Sequence, residues 1–542
     1  MLDRFSDGRE TDYLDNTGQL VTSGTTPRFQ PADRGNATAT DAERQRWFEA
    51  GGKFVGGTLR GLESKIGYLE RLGVTAIWIS PLFEQVSSQE SYHGYGIQNF
   101  LNVDPHFGTR EDLVSLVRTA HQRGLRIVLD VVLNHADDVF AYAQQQLRCD
   151  VMDAEGNFLR KEACWQADGT IYGVAGYRDA AGDPTLPFGP AVDTEFDDGA
   201  IWPAELQQSE TFSRRGKIHN WDFDPEFREG DFETLKDIHQ GTGPVDDYRP
   251  SAALLNLCKA FTFWIAFADI DGFRVDTLKH MDDGASRFFT SYVHEFAQSL
   301  GKENFYLIGE ITGGRQRAFN TLEVTGMNAA LGLDDVQDKI EYLLKGFREP
   351  QDYFDLFRNS VLVRKESHAW FRNKVVTTFD DHDQVRKGKT KSRFAHDEGT
   401  GQNGSERGSL AALAFLTTTM GIPCIYYGTE QQFDGHGDND RFIREAMFGG
   451  DFRAFESRDR HFFDETRFVY QELAKILRLH RDNLVVRRGR QYLREISGDG
   501  RNFGVPRPQR CGRPVLPVCC RRRSISSAPI AHSRASPAAK PR

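Results

Sequence analysis

Residues 269–283, DIDGFRVDTLKHMDD, put an arginine and an aspartate, Arg274 and Asp276, inside what otherwise reads as a short buried strand. Side chains alternate faces along a strand, so Gly272, Arg274 and Asp276 share one face while Phe273 and Val275 share the other. Alone, that pattern fits a buried structural ion pair as well as a reactive site. Three further apolar runs also end in polar groups. IGE leaves Glu310 at its end, FDDHD leaves His382 and Asp383, and DVVLNH leaves Asp130, Asn134 and His135. Capping explains any one of these, but not four of them in order at the C-terminal ends of strands. Three carboxylates converging on one pocket suit glycosidic bond cleavage. One is protonated to release the leaving oxygen and one is ionised to attack the anomeric carbon or steer water, and proximity drives their pKa values apart. An arginine beside the ionised group keeps it charged, and histidines can donate hydrogen bonds to sugar hydroxyls as the ring becomes positive.

The elements that must carry these groups alternate strand and helix from about residue 60 to about 480. VTAIWISPL (74–82) precedes TREDLVSLVRTAHQRG, whose Leu113, Leu116, Val117 and Ala120 recur at helical spacing before Gly124. Strand patterns follow at 125–135, 272–276, 305–310, 327–331, 374–383 and 422–430, and MLDRF at the start adds one more. About eight such units predict an α/β fold, a (β/α)8 TIM barrel with its reactive face at the C-terminal strand ends. An open doubly wound sheet is disfavoured, because no glycine-rich phosphate loop follows an early strand. The rhythm breaks once. Residues 136–232 are rich in Asp, Gly and Pro and read as an irregular subdomain inserted after the third strand, one wall of a cleft. The predicted organisation is therefore barrel at 1–135 and 233–482, insert at 136–232, and the start of a C-terminal β domain at 483–500.

The tail, residues 501–542, contains no Asp or Glu and carries Cys511, Cys519, Cys520 and three arginines at 521–523. It reads as a basic, disordered or frame-shifted replacement for the rest of that β domain. The 542 residues are 39% hydrophobic with net charge -10, which suits a large core and argues against a nucleic-acid partner. No apolar run is long enough to cross a membrane, and the charged start carries no secretion signal, so a cytoplasmic location is expected. Cys258 and Cys424 read as buried thiols, and Cys149 and Cys164 can pair, a point the spacing leaves open.

DVVLNH, GFRVDTLKH, IGE and FDDHD together resemble the four signature regions of the α-amylase family, glycoside hydrolase family 13. YHGYG, VDPHFGT and GIPCIYYGTEQ are similar to supporting stretches of that family. The resemblance implies a retaining mechanism in which Asp276 is the nucleophile, Glu310 the general acid/base and Asp383 the third carboxylate, binding sugar hydroxyls. It implies that Arg274 holds Asp276 ionised, that His135 and His382 bond the sugar, and that Tyr95 stacks beneath it with His93 alongside. Asp130 belongs to the same substrate-binding set, and Lys279 and His280 would line a leaving-group subsite. It further implies a structural Ca2+ held by Asn134, the backbone carbonyl of His280 and Asp231, with no organic cofactor. The chain departs from the family pattern at Asp381, an added acid expected to raise a neighbouring pKa, and at MLDRF, which lacks the apolar opening of a full first strand.

The implied reaction is cleavage of α-1,4-glucan, maltooligosaccharide or a related α-glucoside through a covalent intermediate. A transglycosylase uses the same intermediate, and a non-catalytic carbohydrate-binding barrel is the reading from another class; the retained carboxylates weigh against the latter.

Overall fold

A computed structural model describes residues 1–489, apart from 154–155, 190–198, 333, 346–349, 358–372, 385–389 and 397–405. Helix α1 (Ile66–Leu72) leads into β1 (Ala76–Ile79), α2 (Arg110–Gln122), β2 (Arg126–Val131), α3 (Ala252–Ala268) and β3 (Gly272–Val275). Then come α4 (Asp283–Ser299), β4 (Tyr306–Glu310), α5 (Arg315–Thr325), β5 (Ala329–Leu331) and α6 (Asp334–Leu344). The series continues with β6 (Val376–Thr377), α7 (Glu406–Thr418), β7 (Ile422–Pro423) and α8 (Phe468–Asp482). Strands β1 to β5 form one parallel sheet in chain order. A parallel bridge from Ala330 to Val375 leads on to β6, which pairs in parallel with β7. Strands that neighbour in space as they follow in sequence, with helices between them, make the wound wall of a barrel.

Local chemistry sets the helix ends and faces. Thr109 caps α2 by accepting from Asp112 N–H, and Asp112 returns the bond to Thr109 N–H. The predicted stripe Leu113, Leu116, Val117 and Ala120 is buried. On β3, Phe273 packs edge-on against Phe261 of α3 and against Phe305, while Arg274 faces the opposite way.

The opening residues depart from expectation. MLDRF does not form a strand but turns twice, through Arg4 N–H to Met1 O and Phe5 N–H to Leu2 O. Its charged side chains explain why. The Asp3 carboxylate accepts from Val55 and Gly56 N–H, and Arg4, fully buried, donates to Gly51 and Lys53 carbonyls and stacks 4.0 Å over Tyr92. These bonds hold the segment against 51–56 instead of in a ladder. The segment still touches the barrel, because Leu2 N–H bonds Ser80 Oγ after β1.

Between β2 and α3, the described residues form short antiparallel pairs and no helix longer than Glu226–Glu229. The two ends of this stretch meet, His135–Ala136 pairing with Lys236–Asp237. Within it Cys149 and Cys164 are joined by a disulfide, their Cα atoms 6.0 Å apart. Closing a loop with a sequence separation of 15 is worth about 3 kcal/mol, so reduction or Cys149→Ser should lower the unfolding free energy by that much and the denaturation midpoint with it. An unchanged midpoint would show the bridge is not formed. Burial pushes the Cys258 and Cys424 thiols up to about 12. At the other end, Leu484–Arg488 is a five-residue helix capped by the Asn483 side chain, and the rest of the β-domain start expected at 483–500 lies outside the described residues. The tail at 501–542 lies outside the described residues.

Candidate active site

Register builds the site. Parallel pairing of β2 with β3 sets Arg274 opposite Asp130, and pairing of β3 with β4 brings Glu310 alongside. The buried Arg274 guanidinium then touches three carboxylates. Its Nη1 lies 2.9 Å from Asp130 Oδ1 and 2.5 Å from Asp276 Oδ1, and its Nη2 lies 3.1 Å from Glu310 Oε1. Thr277, directly after Asp276, sits at φ 45°, a conformation most side chains avoid, and its N–H donates to Glu310 Oε2 at 2.9 Å. The backbone turn after the strand thus locks the second carboxylate to the first.

Around this core, Trp78 Nε1–H and Tyr95 O–H donate to Asp130 Oδ2, at 3.0 and 3.1 Å. The Tyr95 hydroxyl also lies 2.6 Å from His382 Nε2, and their rings are parallel. Gly94 makes this placement possible: at φ 89°, a Cβ there would sit 2.0 Å from the Pro81 carbonyl. His93 stacks beside Tyr95 and accepts its N–H through Nδ1. His382 Nε2 lies 3.1 Å from Asp383 Oδ2. His135 is buried, and among the described residues only the Tyr95 backbone is close enough to hydrogen-bond its ring. The Tyr95 backbone can engage only one ring nitrogen, and a sugar hydroxyl would satisfy the other.

The electrostatics separate the three acids. Burial pushes Glu310 up to about 7; Arg274 opposes, and Asp276 and Asp383 add to the rise. Burial raises Asp276 to about 6, with Arg274 again opposing. Asp383 goes the other way, because His382 and Arg444 outweigh its burial and hold it well below the usual carboxylate range. Burial lowers His135 and His93 to about 3, so both imidazoles are neutral. The added acid Asp381 does raise a neighbour, adding to the burial that pushes up the Cys424 thiol, while its carboxylate also caps the turn by accepting from Asp383 and Gln384 N–H, and Asp383 itself falls.

Lys279 pairs with Asp222 at 3.0 Å. The His280 ring is held by the Phe227 carbonyl at 2.6 Å and boxed edge-on by Trp221, Phe227 and Phe232, so it builds the wall beside the site and has no free Nδ1.

Among the suggested calcium donors, Asp231 accepts from Tyr142 O–H at 2.7 Å and Asp237 N–H at 3.1 Å. Asp237, which sequence reasoning passed over, pairs across from His135, next to the buried Asn134. Burial pushes its carboxyl well up, with Asp231, Glu229 and Asp282 adding to the rise. A buried carboxylate under that load suits a hard cation, so Asp237 joins Asn134 and Asp231 as donor chemistry that fits one. Among the described residues, Cys149, Cys164 and His219 also cluster, but the disulfide occupies both sulfurs.

The family model for the α-amylase catalytic domain matches residues 3–170 and 245–471. The chain belongs to the α-amylase family, glycoside hydrolase family 13. It is 27% identical over 483 residues to an α-amylase of Streptomyces lividans, covering 83% of this chain and 49% of that one. It is likewise 27% identical over 428 residues to a cyclomaltodextrin glucanotransferase of Klebsiella oxytoca, covering 74% and 57%. The chain thus spans about half the length of these relatives. A three-domain cyclomaltodextrin glucanotransferase structure superposes with a TM-score of 0.59 at 24% identity, covering 91% of this chain and 81% of that one. An α-amylase from Geobacillus thermoleovorans, solved with acarbose, gives 0.57 at 21% identity, covering 90% and 80%. At these identities the two structures establish the barrel fold.

Proposed function

We propose that the protein is a retaining glycoside hydrolase that cleaves α-glucosidic bonds in α-1,4-glucan, maltooligosaccharides or related α-glucosides. The observation that carries this reading is one buried guanidinium, Arg274, holding both Asp276 and Glu310 at strand ends. Asp276 attacks the anomeric carbon as Glu310 gives its proton to the departing glycosidic oxygen, leaving a glycosyl ester on Asp276. Water then attacks the same carbon, Glu310 takes its proton, and Asp276 is released. Asp383 holds sugar hydroxyls as the ring flattens, and His135 and His382 bond the same sugar. Tyr95, flanked by His93, offers a face to that sugar, and Lys279 and His280 shape the leaving-group side. The irregular stretch after β2 forms one wall of the cleft. Asn134, Asp231, Asp237 and the His280 carbonyl would hold a calcium ion joining that stretch to the barrel.

The reading predicts a bell-shaped dependence of kcat/KM on pH. Activity falls below about 6 as Asp276 gains a proton, and again above about 7 as Glu310 loses the one it must donate. A profile flat from 5 to 8 would contradict the assignment.

A second reading is supported by the cyclomaltodextrin glucanotransferases among the relatives. In it a sugar hydroxyl, not water, meets the glycosyl ester. Product profiles on maltooligosaccharides with and without added glucose decide between them: hydrolysis gives only shorter chains, whereas transfer gives chains longer than the substrate. A folded protein inactive on maltooligosaccharides, starch and sucrose would favour a carbohydrate-binding barrel over both.

A further inference from the structure

We propose that Arg444, supported by Lys391 and Asp440, is the positioning residue that fixes Asp383 for the transition state; this rests on the reading of Asp383 given above. Unlike Asp276 and Glu310, Asp383 does not sit on a laddered strand. β6 ends at Thr377, and the chain reaches Asp383 through a turn that contains no strand pairing. A carboxylate on such a turn needs other restraints to hold a fixed direction.

Arg444 supplies them from 61 residues downstream. It is largely buried, and one planar group makes three bonds: Nε–H to the His382 carbonyl at 2.8 Å, Nη2–H to Asp383 Oδ1 at 2.6 Å and Nη1–H to the Tyr92 hydroxyl at 3.4 Å. Main chain and carboxylate are thereby fixed together, as only a guanidinium fork can do. The other Asp383 oxygen faces His382, so Oδ1 is taken by the protein in a set direction. Lys391 Nζ donates to the carbonyls of Asp383 and, at 3.1 Å, of Gln384. Asp440 pairs with both cations, 2.9 Å from Lys391 and 3.7 Å from Arg444.

The backbone records the restraint. Gln384 is held at φ 42°, and its side chain exchanges two hydrogen bonds with the Ser392 backbone, at 2.7 and 3.0 Å. Such a conformation persists only where the surroundings impose it. Lys391–Ser392 pairs with His436–Gly437, and the helical turn Asp440–Ile443 delivers Arg444, so all the restraints come from outside the barrel strands. Its partners are Asp383, the His382 carbonyl, Tyr92 and Asp440, so it acts on the reaction through Asp383.

The test compares variants on a maltooligosaccharide. Arg444→Met should lower kcat about 100-fold, the cost of a misplaced reacting group, with KM little changed. Arg444→Lys, which keeps the charge but not the fork, should recover part of that loss. In an Asp383→Asn background the Arg444→Met change should cost nothing further, because no carboxylate is left to position. Circular dichroism checks the fold, and if Arg444→Met fails to fold, Arg444→Lys and Lys391→Met carry the same comparison. Wild-type kcat in the Arg444 variants, a rise in KM alone, or an equal loss in the Asp383→Asn background would each overturn the inference. Wild-type kcat in Asp383→Asn itself would overturn the reading of Asp383 and the inference with it.

Discussion

Asp276→Asn is expected to lower kcat on a maltooligosaccharide on the order of 10⁵-fold, the scale seen when a covalent nucleophile is removed. The substitution keeps the side chain's shape and removes the oxygen nucleophilicity that forms the ester. The fold should survive. Arg274 retains Asp130 at 2.9 Å and Glu310 at 3.1 Å, so the buried cation is not orphaned, which is the circumstance that makes breaking a buried pair severe. An Asp276→Asn protein within tenfold of wild type, shown folded by circular dichroism, would assign the nucleophile elsewhere.

Glu310→Gln is expected to lower kcat on the same substrate on the order of 10³-fold, the general acid/base contribution. Its distinguishing feature is dependence on the leaving group. Glycosyl transfer to Asp276 needs a proton only when the departing oxygen is basic, so an α-maltosyl fluoride should still glycosylate the variant. The ester then waits, because no base remains to activate water, and added azide should accelerate turnover by attacking without one. Equal losses on the oligosaccharide and the fluoride, with no azide effect, would remove Glu310 from the acid/base role.

The chemistry was legible in sequence because a strand is periodic. The alternation at 272–276 separates Phe273 and Val275 from Arg274 and Asp276, and the structure buries the first pair, Phe273 against Phe261 of α3, and turns Arg274 to the carboxylates. Helix α2 was legible for the same reason, with its cap and stripe both local. What escaped is non-local or turns on side-chain bonding. Arg444 reaches Asp383 across 61 residues, and nothing in the spacing announces it. MLDRF has the apolar residues of a strand, but Asp3 and Arg4 spend their hydrogen bonds on the 51–56 backbone. Asp237 joins Asp231 as a candidate cation ligand only through the pairing across from His135, which a linear reading does not show. Asp381 acts electrostatically on Cys424 as an added acid would, but its second role as a turn cap depends on side-chain bonding that the linear pattern does not show. A candidate signal for Arg444 did exist. A charge-dense run, GDNDRFIRE, follows the last strand, a pattern that a solvated surface turn produces equally well.

The most direct test of the central claim is to trap the ester. Glu310→Gln protein mixed with α-maltosyl fluoride, quenched in acid and digested, should show one maltosyl unit on the peptide containing Asp276. The same adduct on the peptide containing Asp383 or Asp130, or turnover of the fluoride with no adduct at any point, would contradict a covalent mechanism through Asp276.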